Sequence, residues 1–174
     1  MTKKLLLILF IALPCYAGNF NDNGATVGND DYIGSSRITE QGEYQILLRN
    51  ASGHTSKRGE VLVCSFDTDL AVTTCAVNSK LPFGIFGSTG IPNGGLAWVT
   101  IGGKGQFLLD DSTGSIRGYW INTSHTSTGK AQTWMSEPSQ PTFSTTEHDE
   151  ECGHCLETVT AGVDKLFWGI VHFR

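Results

Sequence analysis

Between Gly59 and Gly118 the chain alternates short apolar runs with glycine. The runs are Gly59-Glu-Val-Leu-Val-Cys-Ser-Phe66, Leu81-Pro-Phe-Gly-Ile-Phe86, Ile91-Pro-Asn-Gly-Gly-Leu-Ala-Trp-Val-Thr-Ile101, Gln106-Phe-Leu-Leu109 and Gly118-Tyr-Trp-Ile121. Segments of this length, rich in Val, Ile, Phe and Trp and about ten residues apart, predict an all-β fold. The expected architecture is an antiparallel β-sandwich or barrel-like domain. Glu43-Tyr-Gln-Ile-Leu-Leu-Arg-Asn50 reads as the strand that precedes the series. Outside the first 17 residues no stretch sustains apolar positions at i, i+3, i+4 and i+7, so helix is not expected in the body.

Two polar stretches interrupt the pattern. Residues 18–42 form an arm rich in Asn, Asp, Gly and Ser, and residues 124–151 form a long Ser/Thr-rich loop with Pro138 and Pro141. The β-rich domain spans 43–174 and closes on a hairpin over 152–174. In its last strand Leu166, Trp168 and Ile170 point one way and Phe167, Val171 and Phe173 the other. A strand apolar on both sides is expected to be covered on both, within the domain or by a second subunit. Gly102-Gly-Lys-Gly105 reads as a turn between strands at 95–101 and 106–109.

The N-terminus has a different pattern. Lys3 and Lys4 precede an apolar run from Leu5 to Leu13, and Cys15-Tyr-Ala17 supplies a small residue at a cleavage point. The run falls short of the roughly 20 residues that span a bilayer. It predicts a secretory signal peptide over 1–17, and no membrane span after its removal. The mature chain would be secreted or periplasmic. It keeps ten basic against seventeen acidic residues, a net charge near −7, which offers no footprint for a phosphate backbone. Nucleic acid is therefore not an expected partner.

After loss of Cys15 four cysteines remain, an even number on an oxidising route. If Asp69 and Leu70 form the tip of the 61–66/71–77 hairpin, Cys64 faces Cys75 at bridging distance. Cys152 and Cys155 then make the second disulfide candidate pair. Cys152-Gly-His-Cys155 also matches a redox dithiol, but Glu150 and Glu151 precede it and no βαβ pattern surrounds it. A metal set of His148, Cys152, His154 and Cys155 is the other chemical reading, weakened because all four lie in one segment. Asp110-Asp111 reads as a turn, Ser124 has no nucleophile elbow, and His125 has no orienting acid nearby in sequence. Asn50-Ala-Ser52 and Asn122-Thr-Ser124 match the glycosylation sequon. No catalytic residue and no cofactor are expected. The candidate binding or subunit-contact residues are Trp98, Trp120, Trp134, Trp168 and Phe173.

The succession Arg49-Asn-Ala-Ser-Gly53, Lys57-Arg-Gly-Glu-Val-Leu-Val63, Pro82-Phe-Gly-Ile85, Ile91-Pro-Asn-Gly-Gly95, Trp98-Val-Thr-Ile-Gly-Gly103 and Gly118-Tyr-Trp resembles β-rich modules of tailed-phage virion proteins, the capsid decoration (cement) proteins and tail-fibre segments. Gly153-His-Cys-Leu-Glu157 and Val171-His-Phe173 are similar to endings of phage structural proteins. The resemblance implies a non-enzymatic role, with the apolar terminal strand and aromatic loops binding other copies in a symmetric oligomer such as a trimer. It also implies other virion proteins as partners and the virion as location. The alternative function is a secreted carbohydrate- or host-surface-binding protein using Trp98, Trp120 and Trp134.

Overall fold

The computed structural model describes residues 32–134 and 149–173. The expected signal peptide, Cys15, most of the polar arm and His148 lie outside the described residues. Ten strands are described: β1 Ser36–Ile38, β2 Glu43–Asn50, β3 Val61–Cys64, β4 Ala71–Thr74, β5 Gly84–Phe86, β6 Leu96–Leu108, β7 Trp120–Thr123, β8 Ala131–Trp134, β9 Glu151–Cys155 and β10 Leu166–His172. The all-β expectation holds. Among the described residues no helix is long and apolar enough to cross a membrane.

The strands pair in the order β1-β2-β4-β3-β5-β6-β10-β9-β7-β8, and β2 also pairs with β6. The second pairing closes β2, β4, β3, β5 and β6 into a ring, a small barrel. β2 and β4 run parallel, and the other strand ladders are antiparallel. The far half of β6 leaves the ring and continues as the first strand of a second sheet, β6-β10-β9-β7-β8.

Alternation along the strands then makes two cores. Leu48, Leu62, Val72, Phe86, Ala97 and Val99 come from all five ring strands and fill the barrel. The neighbouring positions Val61 and Ile85 face outward from the ring. They meet Phe107, Ile121, Cys152, Cys155, Phe167 and Val171 on the inner side of the second sheet. Phe107 and Phe167 stack there with ring centroids 5.6 Å apart.

Three expectations are corrected. Gly102-Gly-Lys-Gly105 is no turn, since β6 runs unbroken through it. A Cβ at Gly105 would stand 2.7 Å from Val171 Cγ2 and 3.0 Å from Ile85 Cδ1, so that glycine serves close packing. The β3–β4 register pairs Cys64 with Val72, not with Cys75. The tip is wider than a two-residue turn, spanning Ser65 to Leu70 with Leu70 at φ 51°. The polar arm carries β1, hydrogen-bonded to β2, and the long polar loop carries β8. Of the two sides of β10 expected to be covered, the domain itself covers the Phe167/Val171 side, and Ile170 and His172 on the other side are exposed in the single chain.

Candidate functional site

The local geometry of the site comes from one extra residue in β9. Ile121 of β7 pairs with Gly153, but Asn122 pairs with Glu151, which leaves Cys152 as a β-bulge. Residues i and i+3 on a regular strand face opposite ways. The bulge restores parity, as such insertions re-aim side chains. Cys152 and Cys155 therefore both enter the inner core, while Glu151 and His154 both stand on the outer face. Gly153, at φ 149°, supplies the backbone conformation that the bulge needs.

On the outer face one row crosses four strands. Trp134 of β8 pairs with Trp120 of β7, Trp120 with His154 of β9, and His154 with Ile170 of β10. The His154 ring meets Trp120 edge-on at 5.1 Å between centroids and lies 5.0 Å from the His172 ring. Trp134 is 47% exposed and Ile170 39%. Glu151 sits between the two imidazoles, with Oε1 3.1 Å from His172 Nε2 and 3.8 Å from His154 Nε2. Partial burial first, and then the His172 ring, push the His154 imidazole below its ordinary pKa against the pull of Glu151. Two residues before Ile170 on the same face of β10, Trp168 lies under the Lys104 ammonium at 4.3 Å, and its backbone N–H donates to Glu157.

The candidate residues divide between this face and the interior. Trp120, Trp134 and Trp168 lie on the outer face of the second sheet. Trp98 does not join them: it is only 3% exposed, with the Arg37 guanidinium 4.1 Å above its ring. Phe173 packs on the inner core. Of the four candidate metal ligands, His148 lies outside the described residues, and Cys152 and Cys155 point away from His154. His154 is instead grouped with Glu151 and His172. The sequence pattern did not single out those two. Period-2 alternation through Ile170 does place His172 beside it, and an isolated glycine inside a strand is the signal for the bulge.

No catalytic triad is assembled by the Ser124–His125 pair. Ser124 is buried and gives its hydroxyl proton to Asp110, and Thr126 Oγ1 donates to the same carboxylate at 2.6 Å. His125 does have an acid, Glu150, with Nε2 and Oε2 3.0 Å apart, which corrects the expectation of an unsupported loop histidine. Asp110 also accepts the backbone N–H and hydroxyl of Ser112, the turn expected there. Both sequon asparagines, Asn50 and Asn122, are buried, so neither offers its amide to a glycosyl donor.

The four described cysteines are free thiols. Neither the Cys64–Cys75 nor the Cys152–Cys155 candidate pair is bridged. Burial pushes the Cys75 thiol up to about 11 and the Cys155 thiol up to about 12, and drives Cys152 well above its ordinary range. Thiols held protonated in this way are poor nucleophiles. In a chain with Cys15→Ser, a thiol reagent at neutral pH is expected to label Cys64 quickly. Cys75, Cys152 and Cys155 should react only on unfolding. Three or fewer titratable thiols after denaturation without reductant would show a bridge and contradict this arrangement.

No family model matches the chain, and no curated protein is significantly similar to it. Among solved structures, the N base of the head fibre gp8.5 of bacteriophage phi29 is similar at a TM-score of 0.49 and 17% identity. That likeness covers 73% of this chain and 92% of the other. It is too distant to carry an argument about role.

Proposed function

We propose that the chain is a non-enzymatic structural module of virion type, acting through contacts with further copies of itself and with neighbouring assembly proteins. The observation that carries this is the outer face of β8, β7, β9 and β10. The same strands whose inner side builds a core present Trp134, Trp120, His154, Ile170 and His172 outward as one continuous aromatic and apolar strip. Contiguous exposed strips of this kind mark interaction surfaces, and Trp is among the residues that dominate binding energy in them. A flat sheet face suits packing against the same face of another copy, at the roughly 10 Å spacing of stacked sheets. The likeness of the glycine-and-strand pattern to phage decoration and tail-fibre modules supports the assignment to a virion.

A second reading has one observation in its favour. Trp134 and Trp120 lie side by side and partly open, with the His125–Glu150 pair near Trp134, whose ring is 5.9 Å from that of His125. Neighbouring aromatic side chains edged by polar groups suit a sugar ring as well as a subunit.

One experiment separates the two. Light scattering after size exclusion is expected to show a defined oligomer for the wild-type chain. Ile170→Glu combined with Trp134→Ser should give a folded monomer, because covering a carboxylate in the contact costs its hydration and the tryptophan anchor is gone. A wild-type chain that stays monomeric at high concentration and loses oligosaccharide binding on Trp134→Ala would decide for the carbohydrate reading.

A further inference from the structure

We propose that Glu151, His154 and His172 form a binding site for a divalent transition-metal ion, with zinc as the expected occupant. One ligand atom from each residue lies within 4.8 Å of the other two. Zinc holds His nitrogen and carboxylate oxygen at about 2.0–2.2 Å, which puts neighbouring ligand atoms of a tetrahedral site roughly 3.4 Å apart. The Glu151–His172 separation of 3.1 Å and the Glu151–His154 separation of 3.8 Å bracket that value. Small imidazole rotations therefore suffice to close the third side. Two imidazoles and one carboxylate are a borderline donor set, suited to zinc, cobalt or nickel and too nitrogen-rich for calcium or magnesium.

The frame is rigid. His154 and Glu151 belong to β9, and His172 belongs to β10, which is hydrogen-bonded to β9 on one side and β6 on the other. Trp120 fixes the His154 ring from the side, as outer contacts commonly orient metal-binding imidazoles. Glu151 is mostly buried at 11% side-chain exposure, whereas His154 and His172 are 42% and 45% exposed in the single chain, so an ion has an open approach there before any second copy packs on the face. Three protein ligands leave a fourth position to water or to a group from outside the chain.

A purely structural account would make this group a carboxylate bridging two histidines, with no affinity for metal. Titration of the full chain with zinc chloride by calorimetry, and with cobalt chloride by visible absorption, distinguishes the two accounts. One equivalent per chain is expected, with a cobalt spectrum of low coordination number. His172→Ala and Glu151→Gln should each weaken zinc binding by about tenfold or more. His125→Ala and Cys64→Ser should leave it unchanged. No binding of zinc, cobalt or nickel by the wild-type chain overturns the proposal, as does binding undiminished in His172→Ala. His172 ends an exposed strand face, so that variant is expected to fold; should it not, undiminished binding in Glu151→Gln overturns the proposal equally. All three ligands come from one chain, so zinc binding by the monomeric Ile170→Glu/Trp134→Ser double variant keeps this proposal whether or not the proposed assembly contact stands.

Discussion

Gly153→Ala is expected to destabilise the fold by about 4 kcal/mol or more, whereas Gly90→Ala should cost about 1 kcal/mol. Both glycines have positive φ, 149° at Gly153 and 93° at Gly90, so an L-residue is strained at either. They differ in space. A Cβ at Gly90 meets nothing within 4 Å. At Gly153 it would lie 1.9 Å from the Ile170 carbonyl oxygen, with the Ile170 carbonyl carbon and Val171 Cα next. Every one of these neighbours is backbone, so no rotamer relieves the clash and β10 must move off β9. Strain and overpacking at about 1–3 kcal/mol each, plus lost ladder hydrogen bonds, give the larger figure. Urea unfolding of the two variants measures the difference. Equal costs would show that φ alone matters and that the bulge is not held against β10.

The second large effect is expected at Asp110. Its carboxylate collects hydrogen bonds from Ser124, Thr126 and Ser112 in a site that is 1% exposed. Ser124 Oγ in turn accepts the backbone N–H groups of Thr126 and Ser127. One side chain thereby ties the β7–β8 turn to the end of β6. Asp110→Ala strands these donors in the interior and is expected to cost about 3–5 kcal/mol at pH 7. Burial pulls the Asp110 carboxyl up, but the hydrogen bonds outweigh it and hold the group well below the usual carboxylate range.

The sign of the pH effect follows from that direction. A group whose folded pKa is depressed contributes stability fully above its unfolded pKa of about 3.9, and loses it as pH falls towards the folded value. The gap between wild type and Asp110→Ala should therefore narrow by about 1 kcal/mol between pH 7 and pH 3. Denaturant melts at the two pH values test this. An unchanged gap would mean that folding does not depress the carboxyl's pKa, and a gap that widens at pH 3 would mean that folding raises it.

Local pattern carried the fold class, and long-range pairing decided most of what the pattern left open. The Glu43–Asn50 alternation specified β2 to the residue. Gly102-Gly-Lys-Gly105 misled because glycine marks both tight turns and close approaches. Only Val171 and Ile85, remote in sequence, reveal which applies at Gly105. The Cys64–Cys75 register failed at Leu70, a residue with no evident propensity for the positive φ it adopts. The Glu151–His154–His172 group was hidden for a related reason. Two residues three apart on a strand should face opposite ways, and the bulge that unites them exists only through pairing with β7. Trp120, Trp134 and Trp168 do lie on the outer face, but Trp98 and Phe173 do not. Trp98 shares their composition and β-context, and its cover by Arg37 comes from a strand that polar composition concealed.

The place of β10 has a consequence for shortened chains. β10 follows β9 in the chain but lies between β6 and β9 in the sheet. A chain cut short before residue 166 has unpaired edges on β6 and β9 and leaves the Phe107 side of the inner core uncovered. Such edges recruit strands from other molecules. Products that lack residues 166–172 therefore carry an aggregation hazard that the full sheet removes.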